Sequence, residues 1–113
     1  MKTLKLRTCL EDINGVETVL TTYILLKTAI NAPPANGFTI QEIEQRVGLL
    51  KIIDRYKELF DYNGKKKEEI EFSFEAEVVF EDVEFEKLRS IFNECKWGTV
   101  SGLIVKTAAD LSV

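Results

Sequence analysis

The sequence predicts an α+β fold, a small and mostly antiparallel sheet covered on one face by three to four helices. Three observations lead there. Residues 3–10, TLKLRTCL, alternate Leu4, Leu6, Thr8 and Leu10 against Lys5, Arg7 and Cys9, the period of a half-buried strand. Residues 70–80 alternate Ile70, Phe72, Phe74, Ala76, Val78 and Phe80 against Glu71, Ser73, Glu75, Glu77 and Val79, and Glu81 extends the acidic row. Between these stretches, apolar residues from Ile40 to Phe60 recur at helical spacing.

The 113 residues suit a single domain over 1–113 with one core. A hydrophobic fraction of 45% and a charged fraction of 30% are those of a globular chain. The net charge of −4 argues against general binding to nucleic-acid backbones, which draws its affinity from basic stripes. The longest apolar run near the amino terminus, YILL, is too short to span a membrane, and acidic residues by position 11 interrupt any signal-peptide core. We therefore expect a cytoplasmic protein with no membrane association. Cys9 and Cys95 are the only cysteines and form no CxxC pair, so both are expected as reduced thiols.

In chain order, Asn14-Gly15 is a two-residue hairpin signal, because both residues tolerate positive φ. A helix beginning at Val16 competes, since Val16, Val19, Leu20, Tyr23, Leu26 and Ile30 also fall at helical spacing. We expect a strand to about Leu20 and a helix from Thr22 to Asn31. Pro33 and Pro34 make NAPPANG a loop. Thr39 with Glu42 forms a T-x-x-E capping box, with Phe38 and Ile43 as its hydrophobic staple, and starts a helix predicted over 40–61. Asn63-Gly64 ends it. Asp82 is the expected N-cap of a helix over 83–95 with Leu88, Ile91, Phe92 and Cys95 inward, and a last helix is expected over 99–111 despite Gly102.

The absence of histidine removes the commonest general base and metal ligand, and with it Ser/His/Asp and Cys/His nucleophile systems. Two isolated thiols supply half a tetrahedral zinc set. A carboxylate-based divalent-metal enzyme remains an alternative, because Glu75 and Glu77 would stand about 7 Å apart on one strand face. The plainer reading is a solvated face, with Lys5 and Arg7 as basic cross-strand neighbours of the glutamates. A further alternative makes Glu71, Glu75, Glu77 and Glu81 the acidic face of an inhibitor that binds a basic host protein, such as a nucleic-acid-binding or defence factor. No catalytic residue, metal site or cofactor is expected.

The helix over 40–61 is apolar round more of its circumference than one small sheet needs, through Leu49, Leu50, Ile52, Ile53, Leu59 and Phe60. Either the other helices of the domain or a subunit interface covers the excess. Leu49, Ile52, Ile53 and Leu59 are the candidate interaction residues. Trp97 is either an aromatic anchor beside them or core filling.

Three stretches, MKTLKLRTCLEDINGVETVLTTYILLKTAI, GFTIQEIEQRVGLLKIIDRYKE and VVFEDVEFEKLRSIFNECKWGTVSGLIV, together resemble small accessory proteins of tailed bacteriophages and prophages. The resemblance rests on the order and spacing of apolar motifs, with YNGKKKEEIEFSFEAE longer than the corresponding connection. It implies a viral protein in the cytoplasm of a bacterial host, without assigned activity, acting through protein contacts. The expected function is accordingly that of a non-enzymatic assembly or interaction module that binds a protein partner or self-associates.

Overall fold

The computed structural model describes residues 1–112. Four strands, β1 (Lys2–Leu6), β2 (Thr8–Ile13), β3 (Val16–Thr21) and β4 (Ala76–Phe80), combine with four helices, α1 (Thr22–Asn31), α2 (Ile40–Ile53), α3 (Asp82–Glu94) and α4 (Gly102–Leu111). The α+β class holds, but the strands form two antiparallel ribbons, β1 with β4 and β2 with β3, where one sheet was expected.

The division falls at Arg7, the single residue between β1 and β2. Its amide donates to Thr22 Oγ1 at 3.0 Å and its carbonyl accepts the Thr22 amide at 2.9 Å. That clamp lets the chain leave β4 and begin pairing with β3. Thr21 then caps α1, its hydroxyl accepting the Ile24 amide at 3.1 Å, so strand becomes helix within one residue at the expected place. Asn14 and Gly15 have φ of 55° and 82°, the double positive φ of a tight hairpin turn.

In the β1–β4 ribbon Leu4 lies opposite Val78 and Lys5 opposite Glu77. Leu4, Leu6, Val78 and Phe80 are buried while Thr3, Lys5, Glu77 and Val79 face outward, giving one dry and one wet face as the alternation requires. The buried side chains join Leu26, Ile30, Leu49, Ile53, Phe85, Leu88, Phe92, Leu103 and Leu111 in one core. Phe80 and Phe85 meet edge to face with centroids 6.3 Å apart.

Three expectations need correction. The strand predicted over 70–80 begins only at Ala76. Glu71 makes a tight turn instead, its carbonyl accepting the Phe74 amide at 3.2 Å and its carboxylate accepting the Ser73 amide at 3.3 Å and the Ser73 hydroxyl. A local side-chain bond of this kind competes with ladder pairing, and among the described residues no strand opposes residues 70–75. The helix predicted over 40–61 is α-helical only to Ile53 and continues as a 3-10 segment over Asp54–Phe60. The N-cap of α3 is Glu81, its amide held by the Glu84 carboxylate at 2.8 Å, and Asp82 is the first helical residue.

Candidate functional site

Helix α2 is turned in an unexpected way. Thr39 caps it as expected, accepting the Glu42 amide at 3.2 Å, but the Glu42 carboxylate does not complete the box. It accepts Arg46 Nε at 2.9 Å and Lys87 Nζ of α3 at 2.7 Å. Those bonds, Lys87 first and Arg46 second, hold the Glu42 carboxyl below the usual carboxylate range. Arg46 also donates through Nη1 to the carbonyls of Ile30 at 2.8 Å and Ala29 at 3.3 Å, the end of α1, and its guanidinium lies 4.7 Å from the Phe38 ring centroid. It therefore satisfies the Ile30 carbonyl at the end of α1 and adds a second donor to that of Ala29, which also accepts the Ala32 amide at 3.2 Å.

With 3.6 residues per turn, Glu42, Arg46, Leu49 and Ile53 share one face of α2, and Ile40, Ile43 and Val47 share another roughly 120° round. The first face is turned inward. Its amino-terminal half meets α1 and α3 through charged side chains, and its carboxy-terminal half through apolar ones. The consequence is an outward ridge of Ile40 (74% exposed), Ile43 (44%) and Val47 (42%).

This changes the set of candidate interaction residues. Leu49 and Ile53 are fully inside the core and Ile52 packs half-buried against it, so none of the three forms the outer surface of α2. Leu59 is 51% exposed. Trp97 is half-buried against Phe92, centroids 4.9 Å apart, so most of its contact is internal. The ridge residues were visible in the sequence as part of the same helical stripe. What the stripe did not show is that a half-buried ion-pair set would take the inward face.

The acidic row of 71–81 is not a continuous surface. Glu71 closes its own turn, and the Ser73 hydroxyl and amide lower its carboxyl pKa. Glu75 accepts Arg7 Nη1 at 2.8 Å while Arg7 Nε donates to Asp110 of α4 at 3.2 Å. Glu77 stands opposite Lys5, and Glu81 caps α3. Lys5 and Arg7 thus both lie on the glutamate side, as the cross-strand argument expected. Among the described residues, no three His, Cys, Asp or Glu side chains gather in a way that could hold a metal ion. Cys9 and Cys95 are free thiols, and burial pushes the Cys95 thiol up. No helix among the described residues is long and apolar enough to cross a membrane.

A concave feature lies beside the hairpin. Residues Leu10, Val19 and Thr21 share one face of the β2–β3 ribbon and form one wall of a cleft of about 590 Å³. The opposite wall is the segment 57–70, tied to the ribbon by Thr8 Oγ1 with Tyr62 Oη at 2.9 Å and by Lys67 Nζ with Glu17 at 3.1 Å. The amino-terminal turn of α1 closes it with Tyr23, Ile24 and Lys27. The segment GKKKEE folds back on the hairpin, so its lysines at 65 and 67 line this cleft.

Comparison with protein-family models, with curated proteins and with solved structures gives no match for this chain. The fold and surface define a small α+β protein with an outward apolar helix face and a lysine-rimmed cleft.

Proposed function

We propose that the protein is a non-enzymatic interaction module whose contact surface is the outer face of α2. One observation carries this reading: α2 turns Glu42 and Arg46 inward and Ile40, Ile43 and Val47 outward, the reverse of what an isolated monomer favours. Isolated exposed apolar residues are ordinary on protein surfaces, whereas three in one row on one helix face suit a helix-to-helix contact. A second copy of the chain is the simplest occupant, because a straight apolar ridge can pair with itself about a two-fold axis. The resemblance to phage accessory proteins is compatible with such a role in a bacterial cytoplasm. The inhibitor alternative draws less support, since three of the four glutamates of its acidic face, Glu71, Glu75 and Glu81, have separate structural tasks.

The test is a sedimentation series from micromolar to near-millimolar concentration on the wild type and on Ile43→Glu with Val47→Glu. The wild type is expected to associate with increasing concentration, and the double variant to stay monomeric with its melting temperature nearly unchanged. A wild type that remains monomeric throughout, and retains the same proteins from bacterial lysate as the double variant, would remove the ridge from the argument.

A further inference from the structure

We propose that the cleft between the β2–β3 ribbon and the segment 57–70 binds an amphipathic anion, a small molecule with an apolar ring or chain and a phosphate-type head. The inference is independent of the α2 contact surface and goes beyond it.

The argument begins with the distribution of charge. Acids outnumber bases by 19 to 15, so a lysine on this surface has carboxylates in plentiful supply. Yet four lysines line the cleft, Lys27, Lys57, Lys65 and Lys67, against only Glu17 and Asp61. Among the described residues, Lys67 alone of the four forms an ion pair, with Glu17 at 3.1 Å. Lys27 donates to the Tyr23 hydroxyl at 3.4 Å and lies 5.7 Å from that ring's centroid, and Lys65 lies 5.9 Å from the centroid of Tyr62. A cation over an aromatic face is stabilised only modestly while exposed, and keeps its charge available to an incoming anion. Three lysines without a carboxylate partner along one concavity make a local positive potential in an otherwise acidic molecule, and low-dielectric walls focus such a potential.

The walls supply the second half of the specificity. Leu10, Val19, Phe60 and Ile70 present apolar surface, and Ile24 at the mouth is 47% exposed. A volume of about 590 Å³ falls within the range of small-molecule sites, which combine apolar lining with a few convergent polar groups. A bare inorganic anion would leave the apolar wall uncovered, and a neutral apolar molecule would leave the ammonium groups without a counter-charge. A ligand with both parts answers both.

The probes are 1-naphthyl phosphate, which has both parts, and inorganic phosphate and 1-naphthol, which have one each. Binding is followed by methyl and amide NMR shifts in the full chain. Naphthyl phosphate is expected to shift Leu10, Ile24 and Ile70 and to bind about tenfold or more tighter than either half. Removing two charges with Lys57→Gln and Lys65→Gln, both on exposed side chains, should weaken it by about tenfold, and raising the salt should do the same. Lys51→Gln with Lys106→Gln, away from the cleft, should leave it unchanged. Shifts that fall outside the cleft, equal affinity for phosphate alone, or indifference to the Lys57 and Lys65 substitutions would each overturn the proposal.

Discussion

The Glu11 carboxylate joins the hairpin to α4. It accepts the Leu103 amide at 2.8 Å across 92 residues of sequence and also accepts the Ser101 hydroxyl, which itself caps α4 through the Leu103 and Ile104 amides. The amino terminus of α4, where unpaired amides and the helix dipole favour an anion, is thus occupied by the chain's own carboxylate.

Removing that carboxylate should release α4. Glu11→Ala is expected to lower the unfolding free energy by about 1–3 kcal/mol, the sum of a lost cap and a charge-assisted hydrogen bond. Glu11→Gln keeps an acceptor but not the charge and should lose less. Urea denaturation read by circular dichroism decides it, and equal stability of all three proteins would show that Ser101 caps α4 alone.

Gly102 offers a check on the same junction. A Cβ at this position would stand 3.3 Å from Glu11 Oε1, tight enough to displace the carboxylate by a few tenths of an ångström. Alanine otherwise favours a helix over glycine by up to about 1 kcal/mol. Gly102→Ala should therefore be close to neutral in the wild type and stabilising beside Glu11→Ala. The measurement is a double-mutant cycle, and strict additivity would separate Gly102 from Glu11.

Arg46 should be among the most costly polar positions to alter. One guanidinium bonds Glu42, the Ile30 carbonyl and the Ala29 carbonyl while stacking on Phe38, and a lysine ammonium cannot reproduce that fork. Arg46→Lys is expected to lose about 1–2 kcal/mol and Arg46→Ala about 2–4, measured by chemical denaturation. If Arg46→Lys matched the wild type, the α1 carbonyls would not depend on the planar fork.

Glu42 makes the neighbouring ion pairs sensitive to acid. Its folded-state pKa is depressed, so the stability it contributes is present above the ordinary glutamate range and is lost as pH falls through the folded value. Glu42→Gln should be less stable than the wild type at pH 7, and the gap should narrow as pH falls below the ordinary glutamate value of about 4.3. Denaturation at pH 7, 5, 4 and 3 tests this; a gap of constant size would point to packing as its source.

How much of this was legible beforehand depended on the range of the interaction. The hairpin at Asn14-Gly15, the Thr39 cap and the strand-to-helix change at Thr21 rest on neighbours within a few residues, and the local sequence carried them. The placement of Lys5 on the glutamate face was also readable, because alternation fixes which side chains face out and charge complementarity favours a basic neighbour there. The strand over 70–80 was drawn too long because alternation shows what a strand would look like and not whether another strand is there to pair with it. Residues 70–75 keep the period, but Ser73 bonds back to Glu71 and Phe74 turns to Phe60, centroids 5.7 Å apart. Similarly, α2 kept its apolar spacing past Ile53, where Asp54 accepts a bond from Tyr23, 31 residues earlier. The inward turn of Glu42 and Arg46 depended on Lys87 and the end of α1, and no local pattern announces such partners.

The bond between Tyr23 and Asp54 leads to a prediction at the alkaline end. Tyr23 is 4% exposed, and its hydroxyl donates to Asp54 Oδ1 at 2.6 Å. Burial, then the bond to Asp54 and that carboxylate's charge, push the phenol from 10.0 up to about 12. Between those values the folded state holds a proton that the unfolded state has released, so stability falls as pH rises through this window. Two pKa units correspond to a loss of up to about 2–3 kcal/mol on reaching pH 12. At pH 8, Tyr23→Phe should cost about 1 kcal/mol for the missing hydrogen bond, and its stability should decline less steeply above pH 10. The two unfolding curves should therefore converge and cross near pH 11. Tyrosinate absorbance gives an independent reading, since one phenol of the wild type should ionise only near pH 12 while the protein stays folded. If no phenol of the folded protein ionised near pH 12, or the two proteins lost stability in parallel, Tyr23 would not be the group that sets the alkaline limit.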